Sequence, residues 1–133
     1  MRKGLLQRVP PSPEKAERSM QKSMAFLENS KKNLEMEIFD GAVILAYLAI
    51  FHSSRAVLMK DGFREKSHAC ISRYLEKFYI PRIESKHIIL LDRYRNLRHA
   101  DQYDVSFYAT KADAEEMIGF AGEFIERIQA LLR

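Results

Sequence analysis

Apolar residues recur along this chain at helical spacing, and no stretch sustains the alternation of a half-buried strand. The first helical pattern follows a short leader. Ser12 stands as an N-cap, Pro13 at the first helical position and Glu14 in the first turn, and Met20, Met24, Leu27 and Leu34 then share one face. This predicts a helix over about 12–37, its stripe turned inward. A second helix, capped by Asp40 and running to about Met59, contains the run "AVILAYLAIF" and is apolar nearly all round. Such a helix belongs at the centre of a bundle. "KDG" at 60–62 ends it, and a third, amphipathic helix over about 64–79 stops before Pro81.

The fourth helix, about 82–102, sorts its residues between two faces. Ile83, His87, Leu90, Tyr94 and Leu97 form the core stripe. Asp92, Arg95, Asn96, His99 and Tyr103 fall on another face, within roughly 100° on the helical wheel. A capping box of Thr110 and Asp113 opens a fifth helix, whose Ala114, Met117, Ile118, Ala121, Ile125, Ile128 and Leu132 point inward. Gly119 and Gly122 on that helix either admit a close neighbour or weaken it locally. The pattern predicts an all-α, antiparallel up-and-down bundle of four to five helices. Residues 12–133 form one domain behind a basic, Pro-containing leader of residues 1–11.

Composition agrees with that reading and adds a location. A length of 133 residues with 47% hydrophobic content supports one core, and the single cysteine, Cys70, cannot close an internal disulfide. No signal-peptide pattern is present at the start, which points to a reducing cytoplasm. The ten-residue apolar run is about half the ~20 residues needed to cross a bilayer, so no membrane association is expected. Net charge is +4 but unevenly spread: +3 over residues 1–37, 0 over 38–63, +5 over 64–99 and −4 over 100–133. The most basic stretch ends in "RNLRHADQYD" at 95–104. A basic surface of this kind holds polyphosphate through attraction and counterion release, or is simply a solvated helix face.

The chemistry available there is phosphodiester chemistry. Arginine presents a planar fork of donors to phosphate and neutralises charge developing in the transition state. Histidine takes a proton from a ribose 2′-hydroxyl or returns one to the leaving oxygen, and neither step needs a metal. Asn96 is placed to orient phosphate or imidazole, and Tyr103 to stack on a base. Asp92 and Arg95 make a surface ion pair rather than a ligand set. His52, His68, His87 and His99 form no HExxH or Cys/His cluster, and there is neither a phosphate-binding glycine loop nor a GxSxG elbow. No metal and no cofactor is therefore expected. His68 reads as a half-buried helix histidine, and His52 with Ser53 as polar groups bonded within the bundle.

The segments "AYLAIFHSSRAVLMKDG" (46–62), "EKSHACISRYLEKFYI" (65–80), "RYRNLRHADQYDVSF" (93–107) and "ADAEEMIGFAGEFIERI" (112–128) follow one another in an order that resembles HEPN domains of the small stand-alone prokaryotic branch. The resemblance covers about residues 12–130. It implies a helical bundle that forms homodimers, often beside a minimal nucleotidyltransferase in toxin–antitoxin pairs. Many such proteins are metal-independent endoribonucleases carrying an Arg-x(4–6)-His motif, with paired motifs meeting at the dimer cleft. Three placements are open on this chain. Arg93 is separated from His99 by five intervening residues but is followed by Tyr94; Arg95 has the polar follower Asn96 but only three intervening residues; Arg98 is separated from Tyr103 by four. Arg93 lies about 120° from His99 on the wheel and Arg95 one turn away, so geometry selects Arg95 where the resemblance selects Arg93. The expected catalytic set is His99, Arg95, Asn96 and Arg93, with Tyr103, Arg98 and Asp92 in binding. RNA or a nucleotide is the expected ligand, and a module that only binds a nucleotidyltransferase partner or a nucleotide is the alternative.

Overall fold

The computed structural model describes residues 6–133, so the first five residues of the leader lie outside it. Five helices follow in order: α1 (Pro13–Glu35), α2 (Phe39–Asp61), α3 (His68–Phe78), α4 (Ser85–Tyr103) and α5 (Lys111–Leu132). The all-α bundle expected from the pattern is present, with α2 packed against all four other helices. By length and composition α2 is apolar enough to span a membrane, yet 61% of its most hydrophobic window is buried inside the protein. It is the central helix of the core.

Local signals set most of the helix ends. The Ser12 side chain accepts from the Lys15 amide at 3.1 Å, with Pro13 in the first turn. Thr110 and Asp113 form a reciprocal capping box. Gly62 ends α2 in the left-handed region at φ 90°, where only a residue without Cβ is unstrained. Asp40 does something else than expected. The N-cap of α2 is Ile38, and the Asp40 carboxylate accepts from the Ala109 amide at 2.8 Å, across the end of the bundle.

Two short strands correct the helix-only reading. Among the described residues, β1 (Leu6–Arg8) pairs antiparallel with β2 (Phe63–Glu65), with Gln7 opposite Arg64. The chain then stays tied down through Val9 N–H to the Gly62 carbonyl (3.0 Å) and Ser12 N–H to the Met59 carbonyl (2.9 Å). Three residues are too few to display a period of two, which is why no strand pattern stands out in the sequence. Because 63–65 is strand, α3 starts at His68 rather than near 64.

The inward stripe of α1 also differs from expectation. Met24 is 39% exposed, while Ser19, Ser23 and Ser30 are buried against α2. Their hydroxyls donate to the α2 carbonyls of His52 (2.7 Å), Ala49 (2.6 Å) and Ala42 (2.7 Å). Small side chains let the two helices approach closely, and each hydroxyl satisfies itself on the neighbouring backbone. On α4, Ile83, His87 and Tyr94 are buried as expected, Leu90 and Leu97 only partly, and Ile88 and Leu91 complete the packed face. A Cβ added at Gly119 or Gly122 would meet nothing within 4 Å, so no neighbour approaches closely there. Phe120 and Phe124 supply the aromatic packing of α5, stacked on each other and tilted against His87.

Candidate functional site

The basic segment of α4 lies against α3 and α2, and the packing divides its side chains into a held set and an open set. Asp92 anchors the held set. Its carboxylate accepts from Arg73 of α3 at 2.5 Å and from Arg95, one turn along α4, at 2.9 Å. Both oxygens are thus engaged by arginines, which makes Asp92 a positioning group for Arg95 rather than a contact for an anion. The expected ion pair between the two residues is present.

Arg98 turns the other way, toward α2. Its guanidinium stands over the Tyr47 ring at 4.6 Å, donates to the His68 Nδ1 at 3.3 Å and reaches Gln102 at 3.0 Å. The Tyr47 hydroxyl also meets His68 Nδ1, at 3.0 Å. Since an arginine can only donate, this Nδ1 accepts, and the His68 ring is neutral with its proton on Nε2. Burial, followed by the charges of Arg98, Arg55 and Arg95, pushes the His68 pKa below its ordinary value and keeps it in that form. Burial likewise pushes the Tyr47 hydroxyl up, so it stays a donor. A small, mostly apolar cavity between α2, α3 and α4, walled by Ile50, Phe51, Ile71 and Leu91, also takes in Tyr47, His68 and Arg95.

The open set is His99, Asn96, Tyr103 and Arg93, all solvent-exposed. His99 packs its ring against Tyr103 at 4.9 Å, one turn on. Arg95 lies between the two sets, one turn from His99 and lining the same cavity as His68. Arg93 projects from a different face, about 120° round the helix from His99. The structure therefore joins Arg95 to Asp92 and Arg98 to His68 and Tyr47, leaves His99, Asn96 and Tyr103 on the adjoining open surface, and sets Arg93 apart. Among the described residues, no group of three or more His, Cys, Asp or Glu is arranged to hold a metal ion.

Three participants escape a reading of α4 alone: His68, Tyr47 and Arg73. Only "KSH" at the start of α3 carried a signal. The His68 side chain is half-buried, as expected, but its partners are the site's own arginine and tyrosine.

A carboxyl pair underlies the C-terminal end of α4. Both oxygens of Asp101 are buried without another donor, and its carboxyl lies against Asp40. Burial, then the bond and charge of Asp40, pushes the Asp101 pKa up to about 7, while the same bond and the Ala109 amide hold Asp40 low. Nearby Asp113 adds repulsion in the same sense. Between pH ~4 and ~7 the folded chain then holds a proton that the unfolded chain has lost, so stability falls as pH rises through that window. Asp101→Asn cannot ionise and keeps a donor toward Asp40. Thermal melts should show it more stable than the wild type at pH 8 by on the order of 1 kcal/mol, roughly 4 °C, and equal at about pH 4. An equal difference at both pH values would place the effect elsewhere.

Comparison with known proteins bears on the whole of this arrangement. The family described as "HEPN domain" matches residues 16–131. The chain belongs to the HEPN domain family. It is 29% identical over 118 residues to "Putative toxin MJ0605" of Methanocaldococcus jannaschii, covering 82% of this chain and 87% of that protein. The crystal structure of ST0689, an archaeal HEPN homologue, superposes with a TM-score of 0.71 over 90% of this chain and 99% of the other. At 19% identity that likeness concerns the fold. In this HEPN domain Arg93, Asn96, His99 and Tyr103 lie on the exposed side of α4, and His68 at the head of α3 bonds Arg98 beside them.

Proposed function

We propose that this HEPN domain is a toxin-type protein of a toxin–antitoxin pair that binds single-stranded RNA across α4 and cleaves it without a metal. The observation that carries the proposal is the gathering of Arg95, Arg98 and His68 beside the open His99. The similarity to a protein named as a putative toxin agrees with it.

Each group then has a chemical role. Arg95, held by Asp92, and Arg98, held over Tyr47, bind the non-bridging phosphate oxygens and offset the charge gained as the 2′-oxygen attacks phosphorus. His68 donates through Nε2–H, since its Nδ1 is occupied. His99, unencumbered on the open face, accepts the 2′-hydroxyl proton. The P–O5′ bond breaks as the new P–O2′ bond forms, leaving a 2′,3′-cyclic phosphate and a protonated 5′-hydroxyl. In a homodimer meeting along α4, a second His99 supplies that proton. Asn96 orients the phosphate, Tyr103 stacks on a base, and Arg93 contacts backbone farther along. The protein acts in the cytoplasm.

The decisive assay incubates purified protein with end-labelled RNA in EDTA. Products ending in 2′,3′-cyclic phosphate are expected; intact RNA would overturn the cleavage reading. The alternative, a non-catalytic module docking a nucleotidyltransferase partner or a nucleotide, is favoured by a separate observation. Tyr103 at the edge of the site, and Val105 and Tyr108 just beyond it, are 63%, 94% and 76% exposed, and large apolar and aromatic side chains so placed suit a protein partner. Retained RNA without cleavage, or a nucleotidyltransferase recovered with the native protein, would favour it.

A further inference from the structure

A second basic surface lies along the outer edge of the seam between α1 and α2. Lys15, Arg18 and Lys22 of α1 line a groove of about 360 Å³ with Ser19, His52, Arg55 and Met59. A contiguous groove of about 330 Å³ shares Lys15, Arg55 and Met59 and continues past Phe63, Arg64 and Glu65 of β2. Five cations thus line the path against one carboxylate. That carboxylate, Glu65, is consumed by Arg55 at 2.8 Å. Among the described residues, Lys15, Arg18, Lys22 and Arg64 take part in no ion pair.

Aromatic rings connect this groove to the α4 site. Phe26 stacks on His52 at 5.4 Å, His52 meets the edge of Phe51 at 5.3 Å, and Phe51 stacks on His68 at 4.2 Å. Arg55 lies over Phe51, and His68 bonds Arg98. Burial, then the charges of Arg55 and Lys22, lowers the His52 pKa to about 4, so at neutral pH this ring is a flat, uncharged surface. Cations spaced along a groove with the His52 and Phe63 rings on its walls are the components of a single-strand platform, the cations tracking phosphates and the rings flanking bases.

We propose that the α1–α2 groove is a second RNA-binding site, which takes the single strand onward from the α4 site past Arg55 to Lys15, Arg18 and Lys22. The inference rests on the RNA reading of α4 and extends it. Lys15 to Lys22 spans about 10 Å of helix, enough for a strand to engage all three cations. Arg55 is the pivot, bordering the groove and ring-stacked toward His68.

The test measures anisotropy of a fluorescein-labelled, 2′-O-methylated uridine oligomer of about twelve nucleotides, a probe that cannot be cleaved through its 2′-position. The combined variant Lys15→Gln, Arg18→Gln, Lys22→Gln replaces exposed side chains, and circular dichroism confirms its fold. Its affinity is expected to fall more than about tenfold near 100 mM salt, and its slope of log affinity against log salt by about 2. A control removing the same charge elsewhere, Lys31→Gln, Lys32→Gln, Lys86→Gln, should stay within about twofold of the wild type. Equal losses in both variants would reduce the groove to net charge and overturn the proposal. Wild-type binding unaltered by the groove variant would overturn the groove and leave the α4 reading standing. No binding by the wild type would overturn the α4 reading itself. A glutamate oligomer competing as well as RNA, and losing affinity equally in the groove variant, would overturn the RNA assignment in favour of an acidic protein segment.

Discussion

His99→Ala is expected to slow RNA cleavage by about 10²–10⁴-fold, the contribution of a positioned proton-transfer group. The ring is exposed and its one aromatic contact is Tyr103, so the variant should retain its melting temperature within about 0.5 kcal/mol of stability. Loss of rate without loss of fold is therefore the signature. His68→Ala makes a useful contrast. His68 holds Arg98 and Tyr47 in place through a single acceptor nitrogen, and its removal frees the guanidinium to move. It should weaken RNA binding, seen as a raised KM, more than it lowers kcat. Cleavage by His99→Ala at the wild-type rate would remove His99 from the chemistry and move the catalytic centre to other groups, Arg98 with His68 first.

The largest stability effect tested by a single surface-like substitution is expected at Ser23. On the helical wheel of α1 this position sits beside Met20 and Leu27, and Ser23→Leu looks like an improvement of the apolar stripe. The packing argues the reverse. Ser23 is fully buried, and its hydroxyl donates to the Ala49 carbonyl at 2.6 Å where α1 and α2 approach closely. Leucine removes that bond and adds volume where the two helices touch. A cost on the order of 3 kcal/mol, or roughly 10 °C in Tm, is expected. Ser23→Ala should cost only about 1 kcal/mol, because it removes the bond without overfilling the space. A thermal melt of both variants separates the two terms, and a neutral Ser23→Leu would show that α1 and α2 can part without penalty.

The serines of α1 also show where pattern reading stops. Met20 and Leu27 are buried as their spacing implies, but Met24 turns to solvent and three serines take the interface. A hydrophobicity pattern counts serine as polar, and cannot register that a hydroxyl within reach of a neighbouring carbonyl is satisfied when buried. Asp40 is similar. An acidic residue at the start of α2 reads as a cap, whereas its carboxylate is used 69 residues away, at Ala109. On α4 periodicity placed Ile83, His87 and Tyr94 in the core but missed Ile88 and Leu91, while the pairing of Asp92 with Arg95 followed from their spacing of three. What the α4 residues face did not follow.

The sequence by itself determined the five helices, the caps at Ser12 and Thr110, the stop at Gly62 and the central place of α2. These depend on interactions within a turn or two of chain and on the balance of apolar and polar residues, which are local quantities. Only the tertiary structure decided that His68 meets Tyr47 and Arg98, that the Asp101 carboxyl is buried beside Asp40, and that Lys15, Arg18 and Lys22 line a groove with Arg55. Those groups are separated by tens of residues along the chain. Their distances, and with them the desolvation and Coulomb energies that set their chemistry, come into existence when the helices pack.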